Sequence, residues 1–184
     1  MNADTDDGID NRPFLLVEDD SNDVYLLRLA FPKAGLQNPL QVVGNGAEAI
    51  SYLSGTGEFA DRNKFPIPAI ILLDLNLPGK DGFEVLKWLA DREIRQKVLV
   101  VVLTNSAKKS DVDRAYALKA NFFLTKPSTF DELVEMTRCL HYLPRLGHDR
   151  QTPFKPSRPL LGLQRREESP KVDVTALPPS SFRL

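Results

Sequence analysis

Carboxylates stand at two places where an apolar run stops. Phe14-Leu15-Leu16-Val17 gives way to Glu18-Asp19-Asp20, and Ile70-Ile71-Leu72-Leu73 gives way to Asp74, with Pro78-Gly79 close behind. Two more runs stop at a hydroxyl and before an ammonium: Val98 to Leu103 at Thr104, and Phe122-Phe123-Leu124 before Thr125-Lys126-Pro127. Carboxylates gathered in one place raise each other's pKa unless a cation lies among them. An oxygen-only donor set without His or Cys favours Mg2+. A hydroxyl and an ammonium across from such a cation are what a phosphoryl group needs. An aspartate placed there is a nucleophile that forms an acyl phosphate. Asp74 is thus the candidate nucleophile, Glu18 and Asp19 its partners toward a cation, and Thr104 and Lys126 the groups that meet a phosphoryl oxygen. Each has an ordinary reading too. Asp74 could start a turn, Glu18-Asp19-Asp20 could be acids at a helix N-terminus, and Lys126-Pro127 could be a loop pair. Their coincidence at the ends of apolar runs is what favours chemistry.

The elements that must position these groups follow from periodicity. Short apolar runs bounded by turn residues read as strands buried on both faces: 13–17, 40–43, 70–73, 98–103 and 121–124. Between them lie helical patterns. Ser21 caps the first, with Val24, Leu27 and Phe31 inward and Asp23 favourable near the positive helix end. The second spans Ala47 to Leu53. The third opens at the capping-box pair Asp81 and Glu84, with Phe83, Leu86 and Ala90 as its stripe. The fourth carries Val112, Ala115 and Tyr116, and the last starts after Ser128 or Thr129. Residues 54–68 read as a long polar loop. Five strand–helix alternations require a parallel sheet covered on both faces, and right-handed crossovers leave few topologies. The expected fold is α/β, flavodoxin-like and doubly wound, with strand order 2-1-3-4-5. Ligands then bind beyond the carboxyl ends of the strands, at the switch point between strands 1 and 3.

Composition sets the outer limits. Residues 1–12 are polar and expected to be disordered, 13–143 form the domain, and 144–184 read as a Pro-rich disordered tail holding seven of the 14 prolines. Its one apolar patch, Leu160-Leu161-Gly162-Leu163, could dock. Residues 1–143 carry 16 Lys and Arg against 21 Asp and Glu, a net −5 that argues against a nucleic-acid surface on the folded part. The tail carries 8 against 4. The single cysteine, Cys139, excludes an intrachain disulfide and a cysteine metal cluster and is expected to be a buried thiol. With no apolar run long enough for a membrane span and no signal peptide at the N-terminus, the chain is expected in the cytoplasm.

The stretches Phe14 to Asp20, Ile70 to Gly79, Val101 to Ser106 and Phe123 to Pro127 resemble the receiver domain of two-component response regulators over residues 13–143. The resemblance implies that Asp74 accepts a phosphoryl group from a sensor histidine kinase. It also implies that Mg2+ is held by Asp19, Asp74 and the backbone carbonyl of Asn76, with Glu18 assisting through water. Thr104 and Lys126 would contact the phosphoryl group, and Thr104 and Phe123 would form a switch. Glu18 to Asp23, the loop after the second helix and Asp74 to Gly79 are similar to stand-alone regulators paired with bacterial phytochromes. A two-fold homodimer through helix 4, strand 5 and helix 5 is implied, with Tyr116, Phe122 and Tyr142 as aromatic candidates. Self-catalysed phosphotransfer and autodephosphorylation are expected, not a metabolic turnover. Two positions depart from the family pattern: Lys119 where a glycine is usual, and the larger Asn105 where a small residue is usual. Two other classes compete. A Mg2+-dependent phosphohydrolase working through an aspartyl-phosphate would want an acid two residues past the nucleophile, where Asn76 stands, and a substrate cap. A phosphorylation-independent interaction module would not need the acids and Lys126.

Overall fold

The computed structural model describes residues 11–106, 108–140, 143 and 163–164. In chain order the elements are β1 (Phe14–Val17), α1 (Ser21–Lys33), β2 (Leu40–Val43), α2 (Gly46–Ser54), β3 (Ile70–Leu73), α3 (Gly82–Ala90), β4 (Leu99–Thr104), α4 (Lys109–Ala117), β5 (Phe122–Thr125), α5 (Phe130–Leu140) and β6 (Leu163–Gln164). The first five strands are parallel in the order β2-β1-β3-β4-β5, as the alternation requires. A sixth strand was not expected. Leu163–Gln164, from the segment read as a tail, pairs antiparallel with β5 opposite Leu124 and Phe123.

Strand alternation divides the core into two layers. Leu15, Val17, Ile71, Leu73, Val100, Val102 and Phe123 belong to the layer that also holds the buried residues of α2, α3 and α4. Phe14, Leu16, Ile70, Leu72, Val101, Leu103 and Leu124 belong to the other layer, with Leu27, Ala30 and Phe31 of α1 and Leu133, Met136 and Leu140 of α5. Cys139 of α5 is half-buried. The parity carries on past the strand ends. Continued by one residue, the α1–α5 layer of β1, β3 and β5 arrives at Glu18, Asp74 and Lys126. Thr104 falls in the opposite parity, on the side of α4.

The loop after α2 is neither wholly polar nor a cap over the strand ends. A short 3-10 turn spans Gly57–Phe59. Phe59 and Phe65 pack on Tyr52 at ring-centroid separations of 5.3 and 5.9 Å. The Arg62 guanidinium donates to the carbonyls of Tyr52 and Leu53 at 2.8 Å each, satisfying the open C-terminus of α2. This loop leads into the start of β3, the opposite end of that strand from Asp74.

Helix α4 ends in a Schellman arrangement: Lys119 N–H donates to Tyr116 O at 2.9 Å and Ala120 N–H to Ala115 O at 3.0 Å. Lys119 has φ +65°, the left-handed turn that its neighbours demand and that a glycine takes without strain. Its ammonium reaches Ala90 O at 2.8 Å on the surface. A side chain in this conformation costs about 1–2 kcal/mol. A glycine there loses about half of that gain to unfolded-state entropy. Lys119→Gly will therefore raise the unfolding free energy by about 0.5–1 kcal/mol in urea titration; a lowered midpoint would contradict this.

Candidate functional site

The register of the sheet brings the candidate residues to one edge. Val17 is aligned with both Val43 and Leu73. Glu18 N–H donates to Val43 O at 3.0 Å and Asp74 N–H to Val17 O at 3.1 Å, so the two acids leave adjacent strands at the same level. Thr104 pairs with Thr125, and Lys126 N–H donates to Thr104 O at 2.9 Å. Glu18, Asp74 and Thr104 are buried, at 3%, 5% and 0% exposure. Asp19, the residue after Glu18, and Asn76, two residues past Asp74, are both exposed.

Lys126 is the hub. Its Nζ lies 2.7 Å from Glu18 Oε2, 2.7 Å from Asp74 Oδ2 and 2.7 Å from Asp23 Oδ2. Burial works against the ammonium's charge, but its hydrogen bonds to Asp23, Asp74 and Glu18 more than reverse this and push its pKa up. Burial raises the pKa of Glu18, and the hydrogen bond from Lys126 opposes that rise only partly. Asp74 Oδ1 accepts from the Asn76 backbone N–H at 3.0 Å, which fixes the carboxylate plane and leaves Oδ2 to the ammonium. Thr104 Oγ1 accepts from Ser106 N–H at 3.4 Å, and the Ser106 hydroxyl donates to Asp111 of α4.

Two helices frame the mouth. Asp20, not Ser21, caps α1: its carboxylate accepts from Asn22 N–H at 2.7 Å and Asp23 N–H at 3.4 Å. Those two backbone donors hold its carboxyl below the usual range. On the other side α3 starts at the expected capping box of Asp81 and Glu84. Its first residue, Gly82, lies so close that a Cβ would stand 2.2 Å from Asp74 O and 2.8 Å from Leu75 Cα. The phosphoacceptor candidate is thus braced from behind by a helix start.

Two features escaped the sequence. Asp23, expected only as a helix-end acid, is the third carboxylate on Lys126. Tyr25, Leu26 and Leu29 of α1 are exposed, at 61%, 37% and 40%, and Leu26 lines a cleft together with Asp23, Lys126, Pro127 and Thr129. Helical spacing alone does not tell such residues from core ones. In the other direction, Tyr116 is buried in the core and is not presented on the outer face of α4. Phe122 is partly buried, and Tyr142 lies outside the described residues.

A divalent cation fits this edge in donor type and charge. Glu18, Asp19 and Asp74 outnumber the Lys126 ammonium, and all their donors are oxygen. Among the described residues, however, no three His, Cys, Asp or Glu side chains are already arranged around a metal position; Lys126 binds Glu18 and Asp74 itself. Glu18 and Asp74, two of the acids that would face a cation, are thus engaged by the ammonium.

A family model described as the response regulator receiver domain matches residues 14–138. The response regulator Rcp1 of Synechocystis sp. is 36% identical over 124 residues, covering 67% of this chain and 82% of that protein. The crystal structure of the phosphorylated cyanobacterial phytochrome response regulator RcpA superposes with a TM-score of 0.65 at 32% identity, over 72% of this chain and 92% of that one. The Mn2+-bound form of Rcp1 gives 0.64 at 32% identity, over 78% and 99%. Among the described residues, no helix is long and apolar enough to cross a membrane. The strand order, the acids at the ends of β1 and β3, the lysine after β5 and these matches agree: the chain belongs to the response regulator receiver family and is a phosphoryl-accepting signalling switch.

Proposed function

We propose that Asp74 is the residue phosphorylated, that a histidine kinase supplies the phosphoryl group, and that Mg2+ is the cation used. The observation that carries this is the Lys126 ammonium 2.7 Å from Asp74 Oδ2 at the open edge of the sheet. An Asp74 carboxylate oxygen attacks phosphorus, the new P–O bond forms as the P–N bond to the kinase histidine breaks, and the imidazole leaves with the bonding pair. Lys126 and the Thr104 hydroxyl then face the phosphoryl oxygens, offsetting charge that Asp74 alone would repel. Mg2+, when bound, neutralises charge on the incoming group; Asp19, Asp74 and the Asn76 carbonyl would hold it, with Glu18 behind. Hydrolysis of the acyl phosphate at the same edge returns the protein to its resting state. Tyr25, Leu26 and Leu29 give the kinase an apolar landing beside the acceptor. The phytochrome named with RcpA supports a bacterial phytochrome as the kinase, and the cytoplasm is the compartment we favour.

Phosphorylation is read out through Thr104 and Phe123. Thr104 trades its contact with Ser106 for a phosphoryl oxygen, and Phe123, now fully buried in the same layer, repacks into the space behind it. A two-fold homodimer through α4, β5 and α5 is the output surface. With Tyr116 in the core and β6 on the outer edge of β5, the outward sides of α4 and α5 are left to carry most of that contact. We favour a receiver domain at 13–143 with further segments at 1–12 and 144–184, of which Leu163–Gln164 returns to the sheet beside β5.

A small-molecule phosphohydrolase is less well supported. The residue two past Asp74 is Asn76, which supplies a backbone N–H but no acid, and the loop after α2 packs at the other end of β3. The decisive measurement is intact mass after incubation with acetyl phosphate or a phosphorylated kinase. One phosphoryl group per chain is expected with Mg2+ and none after chelation; uptake that ignores chelation would refute the reading.

A further inference from the structure

Lys126 has three N–H donors, and the structure gives each ammonium position its own carboxylate: Glu18, Asp23 and Asp74, all at 2.7 Å. Two of these acceptors have other work on the reading above. Glu18 belongs to the cation and Asp74 to the phosphoryl group. Asp23 has neither duty. It sits in the first turn of α1, 103 residues from Lys126 in sequence, and its side chain is one-third exposed. Its place in the helix does not call for an acid that reaches the site, because Asp20 already caps the helix.

We propose that Asp23 is a positioning residue for Lys126. It holds the ammonium over the acceptor while Glu18 and Asp74 change partners during cation binding and phosphoryl transfer. The proposal rests on Asp74 being the acceptor. The lysine stem has four methylenes and no shape of its own to fix its end. When a cation draws Glu18 away and a phosphoryl group covers Asp74 Oδ2, Asp23 Oδ2 is the acceptor that stays put. Because α1 carries it, the position of the ammonium depends on the helix that also bears Tyr25, Leu26 and Leu29. A kinase landing on α1 therefore presses on the residue that aims Lys126.

The test uses the full chain and the variants Asp23→Asn and Asp23→Glu, with thermal melting to establish that each is folded. Acetyl phosphate with saturating Mg2+ is the phosphoryl donor, and the Lys126 ammonium resonance is followed by NMR in the unphosphorylated protein. Asp23→Asn is expected to slow phosphorylation roughly tenfold, the loss of one charged hydrogen bond. It should also speed exchange of the Lys126 ammonium protons with water, with Mg2+ affinity changed by much less than the rate. Asp23→Glu, which keeps the charge, should recover most of both signals. An unchanged Lys126 resonance in Asp23→Asn overturns the proposal. So does a loss of Mg2+ affinity as large as the loss in rate, since Asp23 would then act as bulk charge on the cation. A wild-type protein that takes up no phosphoryl group refutes the Asp74 assignment instead, and the Lys126 resonance still reports whether Asp23 holds the ammonium.

Discussion

Asp74→Asn will take up no phosphoryl group from acetyl phosphate or a phosphorylated kinase, and it will melt no lower than the parent. The first half follows from nucleophilicity: a carboxamide has no anionic oxygen to attack phosphorus. The second half follows from the charges at the edge of the sheet. Glu18, Asp23 and Asp74 surround one ammonium, and desolvation already pushes the Glu18 carboxyl up. Removing one of three like charges relieves repulsion, and the two remaining carboxylates still pair Lys126. The amide oxygen keeps the shape of the carboxylate and can still accept from the Asn76 N–H. Intact mass and a melting curve at neutral pH without divalent cations check both halves. Phosphorylation that survives at another residue would move the acceptor; a large fall in melting temperature would mean that Asp74 is a structural ion-pair partner first.

Gly82→Ala will be the most damaging single-methyl change near the site. The added Cβ would sit 2.2 Å from the Asp74 carbonyl oxygen and 2.8 Å from Leu75 Cα, against backbone that has no rotamer to yield. Gly82 N–H also donates to Leu75 O at 3.1 Å, so the start of α3 cannot retreat without giving up that bond. Overpacking of this kind costs about 1–3 kcal/mol. It acts on the peptide that carries the acceptor, so the rate of phosphorylation should fall roughly a hundredfold, as expected for a displacement of about 1 Å at a reacting group. Urea unfolding and the phosphorylation rate of the folded fraction test the two effects separately. A stable variant that is phosphorylated at the normal rate would show that α3 moves freely against β3.

The sheet and its order were legible because strands of a parallel sheet are buried on both faces, and Ile70 to Leu73 and Val100 to Leu103 contain nothing but apolar residues. Such runs show where strands stop, and the acid, hydroxyl and ammonium at the stops gave Glu18, Asp74, Thr104 and Lys126 at once. Asp23 was not legible. An acid in the first turn of a helix is favourable on local grounds alone, so nothing in Asp20-Ser21-Asn22-Asp23 tells which acid reaches across to Lys126. Only the layer shared by α1 and β5 decides that. Tyr116 and Tyr52 were hard for the opposite reason. A tyrosine at helical spacing suits a surface or a core, and Tyr52 is buried at 1% exposure with its hydroxyl donating to Pro66 O at 3.0 Å. The pairing of Leu163–Gln164 with β5 was out of reach because two residues are too few to carry a strand period.

That short pairing bears on how the open edge of the sheet is protected. A sheet ordered β2-β1-β3-β4-β5 ends on one side in β5, whose Phe122-Phe123-Leu124 backbone would offer unpaired N–H and C=O groups to any extended chain that met it. Exposed apolar edges of this kind template edge-to-edge aggregation, and proteins blunt them by covering them. Here Leu163–Gln164 is the cover over Phe123 and Leu124. A receiver trimmed at the end of its last helix would lose it, trading a shorter chain for a sticky margin.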